Sequence, residues 1–130
     1  MRMREAGASR LAAGYFLTQA ALVPLWWGML FVAPASRAWF LPAPELDPAF
    51  RALLLPDLAV LALGSAITAG LALVSHPMAR SAAWLVVGAV AYATAYAVAW
   101  TIHVGAPMLS TVLMLAAAGA SIISARRLSG

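Results

Sequence analysis

Between Arg10 and Arg37 this chain carries no charged side chain. The stretch is about 25 residues long, and about 20 apolar residues suffice to cross the hydrocarbon core of a bilayer. Three further apolar stretches follow, at about 56–74, 81–103 and 106–125. Stretches of this kind leave little choice of fold. In lipid every backbone N–H and C=O must find a partner inside the protein, so a spanning segment of this length is a helix. The remainder of the chain cannot supply a water-soluble surface, because only 9% of its residues are charged where soluble domains carry about a quarter. The sequence therefore predicts an all-α integral membrane fold. It is a single domain, 1–130, of four antiparallel transmembrane helices at about 11–34, 56–74, 81–103 and 106–125. Two of the three connections are short, which makes consecutive spans antiparallel neighbours.

The first stretch has a competing explanation as a signal peptide, since Ser36-Arg37-Ala38 loosely resembles a cleavage site. Its apolar run exceeds the usual core of about 7–15 residues, so a retained first span is expected. Residues 34–52 form the one long connection, with four prolines, Trp39-Phe40 and the charges Arg37, Glu45, Asp47 and Arg51. An aromatic pair there suits the lipid–water interface. Asp47-Pro48 reads as a helix N-cap followed by proline at the first helical position, predicting a short interfacial helix from Pro48 to Leu55. Pro56 then kinks the chain into the second span or restarts it.

All eight basic residues are arginine, and they are unevenly placed. With four spans both termini share a side. Arg2, Arg4, Arg10, Arg80, Arg126 and Arg127 fall on that side, and only Arg37 and Arg51 on the other. The positive-inside rule makes the chain N-in and C-in. The compositional bias suits a GC-rich bacterial genome, and hence a bacterial cytoplasmic membrane. No internal duplication relates the first two spans to the last two.

Helical spacing sorts the apolar residues into faces. Gly88, Ala91, Ala95 and Ala99 form a small-residue stripe on the third span; Gly64, Thr68 and Ala72 form one on the second, and Ala116, Ala120 and Ser124 one on the fourth. Such stripes let helices approach closely, within one bundle, in a homo-oligomer or against a partner membrane protein. Tyr92, Tyr96, Trp100 and His103 share another face of the third span. On the first, Tyr15, Gln19, Leu22 and Trp26 share a face, and Pro24 predicts a kink.

Asp57 is the only acidic side chain set against a membrane-length apolar run. Ionisable groups inside a bilayer mark function by default, although in the first turn of a helix a carboxylate also gains from the helix dipole. His103, at the end of the third span, falls on the same outer side as Asp57, Arg51, Glu45 and Asp47. These residues, with Tyr96 and Trp100, could hold a polar head group while the aromatic face lines an apolar tail. Gln19 is a second polar group, suited to helix-to-helix hydrogen bonding or to ligand contact. The leading expectation is a non-catalytic module that binds a membrane lipid, a hydrophobic small molecule or a partner membrane protein. One alternative is an oligomeric transporter or channel using Asp57 and Gln19; another is a lipid-substrate enzyme with Asp57 and His103 as acid and base.

Several chemistries are excluded or unsupported. There is no cysteine, which removes thiolate catalysis and Cys-ligated metal sites. His76 and His103 fall on opposite sides, against a bis-His haem in one subunit. The carboxylates lack metal-ligand spacing, no phosphate-binding loop or HExxH is present, and the scattered arginines offer nothing to nucleic acid. No cofactor is expected.

Overall fold

The computed structural model describes the backbone of residues 2–128 and the side chains of residues 7–128; the side chains of Arg2, Arg4 and Glu5, which enter the charge asymmetry, lie outside the described residues. The chain is helical, with four segments long and apolar enough to cross a membrane: Gly7–Val32, Pro44–Leu73, Ala79–Val104 and Met108–Arg127. The first is one helix, α1 (Arg2–Val32), which runs through Pro24. The second is composite: a 3-10 turn (Pro44–Leu46), α2 (Asp47–Arg51), α3 (Leu54–Pro56), a π-helical stretch (Asp57–Ala62) and α4 (Leu63–Leu73). The third and fourth are α5 (Ala79–Val104) and α6 (Met108–Arg127).

α1 packs on α4 and α6, and α5 packs on α4 and α6. The four spans therefore form a ring in which sequence neighbours are spatial neighbours, as short connections require. The central core is narrow, built from Phe16, Leu61, Ala69, Ala83, Val86, Val90 and Ala125. Gly64 shows how close the approach is: a Cβ there would lie 3.4 Å from Val86 Cγ2. The second-span stripe is used inside the bundle, with Thr68 and Ala72 buried. The third-span stripe is not. Gly88, Ala91, Ala95 and Ala99 are all exposed, and α5 instead buries Ala83, Val86, Val87, Val90, Thr94 and Ala97.

Side-chain hydrogen bonds join helices where lipid offers none. Thr94 Oγ1 lies 3.1 Å from the Met114 carbonyl and Thr111 Oγ1 3.1 Å from that of Ala97, stitching α5 to α6. Tyr15, Gln19, Ser65 and Ser121 form a network across α1, α4 and α6. Gln19 Nε2 donates to Ser65 Oγ at 3.0 Å, and Tyr15 Oη lies 2.5 Å from Gln19 Oε1 and 2.8 Å from Ser121 Oγ. Interhelical bonds in lipid contribute about 1 kcal/mol each.

The long connection folds over one end of the bundle. Phe40, Leu41 and Phe50 pack with Trp27 and Leu30 into a second cluster, leaving Trp39 exposed. The aromatic pair is thus split, one ring outward and one inward. Asp47 does not cap a helix with its side chain. Its carboxylate takes Arg51 at 2.6 Å and Arg37 at 3.3 Å instead, and two guanidinium partners outcompete a backbone N–H.

Two helix ends adopt left-handed backbone. α5 ends at Gly105, with φ +71°. α4 ends at Ser75, with φ +52°, where His76 N–H bonds the Leu71 carbonyl and Ser75 N–H that of Ala72. This is the Schellman pattern with serine where glycine is preferred. Left-handed backbone costs a non-glycine residue about 1–2 kcal/mol, and glycine loses about 0.5–1 kcal/mol of chain entropy in return. Ser75→Gly should therefore raise stability by about 0.5–1 kcal/mol in reversible detergent unfolding; an unchanged midpoint would mean that Ser75 carries no strain.

Candidate functional site

Asp57 opens the π-helical stretch, and its position follows from Pro56. Proline has no N–H and crowds the carbonyl four residues earlier, so regular α-helix cannot run through it undisturbed. The chain stays helical but widens, and Leu63 N–H reaches back five residues to the Leu58 carbonyl. Irregular backbone at membrane depth persists only where protein buries it or a cavity adjoins it. Here a cavity of about 500 Å³ adjoins it, and Asp57, Val60 and Leu61 form part of its wall.

The other walls come from every span. α1 gives Val23 and Trp26; α5 gives Ala93, Tyr96 and Trp100; α6 gives Ser110 and Met114. Phe40 and Phe50 close the end that lies under the long connection, with their rings edge-on to Trp26 at 5.2 and 5.9 Å. Tyr96 and Trp100 stack at 5.8 Å. On the side between the second span and α5, the lining residues Val60 and Tyr92 are 48% and 76% exposed. In a membrane this rim faces lipid, so the cavity opens sideways. Its size falls within the range of about 300–1,000 Å³ typical of ligand sites.

Polar groups are few, and three lack protein partners. Trp27 Nε1 donates to Asp57 Oδ2 at 3.0 Å, while Oδ1 has no hydrogen-bond partner among the described residues. The indole nitrogens of Trp26 and Trp100 are shielded from solvent and likewise unpaired. Each buried donor left unpaired costs about 1–3 kcal/mol. The two indole nitrogens are shut off from the cavity as well as from solvent, so Asp57 is the one charged group in an otherwise largely apolar lining.

Of the residues singled out from sequence, Asp57, Tyr96 and Trp100 come together in this cavity. Gln19 does not. It is tied into the Tyr15–Ser65–Ser121 network, about two helical turns and 12 Å from Trp27 along α1, with Val23 and Leu61 between. Arg51 is ion-paired to Asp47 and lies 6.0 Å from the Phe31 ring centre, outside the lining. His103 is exposed at the end of α5 and also lies outside it. His76 Nδ1 accepts from Met78 N–H at 3.2 Å in the opposite connection. Trp27 and Phe50 have no part in the sequence reading, which takes Phe40 only as an interfacial ring. One signal pointed to Trp27: an indole N–H in an apolar span needs an acceptor, and Asp57 is the only carboxylate available at that depth.

A second cavity of about 420 Å³ lies under the connection, bordered by Pro34, Arg37, Leu41, Pro42 and Asp47. Its charged groups are spent on each other. Among the described residues no cluster of His, Asp and Glu could hold a metal ion. Comparison of the chain with protein-family models, curated proteins and solved structures gives no match.

Proposed function

We propose that this protein is a non-catalytic module of a bacterial cytoplasmic membrane that binds a lipid or similarly hydrophobic ligand in the sideways-opening cavity beside Asp57. The observation carrying this reading is the pairing of a sideways-opening apolar cavity with a single carboxylate, Asp57, whose Oδ1 has no hydrogen-bond partner among the described residues. A ligand with an apolar body and a polar head group that meets Asp57 fits this lining. The transport and acid–base alternatives need Asp57 to share a site with Gln19 or His103, and neither lines the cavity. The positive-inside count orients the chain N-in and C-in, placing the cavity toward the outer leaflet. The absence of native cysteine makes that testable: a single cysteine at Glu45 should label from outside the cell, and one at Met78 only after permeabilisation.

The binding reading is tested by filling the cavity. Ala93 is half-buried in the α5 wall, and Ala93→Trp places an indole in the space that a ligand tail would occupy. A phospholipid with a photoreactive acyl chain should crosslink to wild type around Val60, Tyr92 and Met114, and Ala93→Trp should lower that yield at least about fivefold. Crosslinks spread evenly over all lipid-facing residues, unchanged in the variant, would contradict the reading.

A further inference from the structure

We propose that the head group taken by this cavity is an ammonium, carried by a membrane amphiphile whose tail occupies the apolar part; this rests on the binding reading above. Asp57 is the only charged residue in the lining. The two arginines nearest in sequence, Arg37 and Arg51, are committed to Asp47, and no ion pair reaches Asp57 among the described residues. A carboxyl group held in an apolar wall takes up a proton unless a cation meets its charged form. The protein supplies no such cation, which leaves that place to a ligand.

The rest of the wall points the same way. Six aromatic rings line the space: Trp26, Phe40, Phe50, Tyr92, Tyr96 and Trp100. Aromatic faces attract cations through the ring quadrupole, and rings clustered about a cavity are the usual means of holding a quaternary ammonium. Indole, the strongest such ring, is supplied twice. An anionic head without an ammonium would meet Asp57 with like charge, and a simple alcohol would leave the ring faces unused. The tail follows from the sideways opening at Val60 and Tyr92, which a water-soluble cation has no need of.

The test compares probes with matched tails on protein in neutral maltoside micelles, with adducts counted by native mass spectrometry. The probes are hexadecyltrimethylammonium, hexadecanol, hexadecyl phosphate and tail-less tetramethylammonium. The ammonium amphiphile should give half-occupancy at least about tenfold below the alcohol and the phosphate, as a Coulomb contact with Asp57 together with ring contacts implies. Tetramethylammonium should not bind in the same range. Asp57→Asn, which keeps an acceptor for Trp27, should reduce the advantage to less than about twofold, and Trp100→Leu should reduce it in part. Equal binding of alcohol and ammonium, both blocked by Ala93→Trp, would overturn the ammonium assignment and leave a hydrophobic site. Equal binding of tetramethylammonium would overturn the amphiphile. Probe binding indifferent to Ala93→Trp would overturn both this inference and the binding reading. The wild-type ranking is decisive even if a variant fails to fold.

Discussion

Phe16→Ala should lower the stability of the bundle by about 3–5 kcal/mol, the range for removing a buried phenylalanine ring. Phe16 is 0% exposed and is the largest side chain sealed in the central core. In lipid the hydrophobic effect does not drive helices together, and dispersion contacts between close-packed helices carry most of the association. The neighbours Ala69, Ala83 and Ala125 are too small to move into the vacated volume, so the cavity would remain. Phe16 also supports the polar network, since its ring meets that of Tyr15 edge-on at 5.3 Å. The measurement is equilibrium unfolding in mixed micelles with demonstrated refolding. Leu25→Ala is the control: Leu25 is 66% exposed on the same helix, and its truncation should change stability by no more than about 0.5 kcal/mol. Similar losses for both variants would mean that the ring of four spans is not the packed unit described.

Asp57→Leu should have two separable effects. Trp27 is 3% exposed and its indole donates to Asp57 alone, so leucine leaves a buried donor unpaired at about 1–3 kcal/mol. Leucine also removes the cavity's acceptor, and binding of the amphiphile should weaken by about tenfold to a hundredfold. Asp57→Asn separates the two. Its amide oxygen still accepts from Trp27, so stability should fall by less than about 1 kcal/mol while the preference for a cationic head over a neutral one is lost. A variant pair with equal stability and equal binding would reduce Asp57 to a residue that merely begins a span.

Much of the fold was legible because lipid permits few alternatives. Apolar runs of spanning length indicate four helices and their order, and the two short connections make consecutive spans neighbours. Residue faces were harder. The regular Gly88–Ala91–Ala95–Ala99 stripe looked like the packing face of α5, yet the bundle uses Val86, Val90, Thr94 and Ala97. Spacing shows which residues share a face but not which face points inward, and small residues fit either environment in lipid. Asp47 preceded a proline as a helix cap does, but Arg51, one turn on, and Arg37, ten residues back, claimed its carboxylate. Ser75 could not be read as a left-handed position, because that conformation is imposed by how α4 meets the next turn.

The site was legible in part for the same reason. Asp57, Tyr96 and Trp100 stood out as a carboxylate in an apolar span and an aromatic face on another, and the fold brings them together. His103 and Arg51 were grouped with them because they lie on the same side of the membrane. Sharing a side does not bring groups into contact, and the loop that roofs the cavity turns Arg51 toward Asp47. Trp26, Phe40 and Phe50 enter the wall through that loop's packing on α1, a contact that no local pattern encodes.

The most direct measurement is native mass spectrometry of protein gently extracted from its own membrane, compared among wild type, Asp57→Asn and Ala93→Trp. Wild type should retain one discrete amphiphile adduct per chain, and both variants should lose it while keeping their fold. Wild type without an adduct, or an adduct indifferent to both substitutions, would contradict a ligand site beside Asp57.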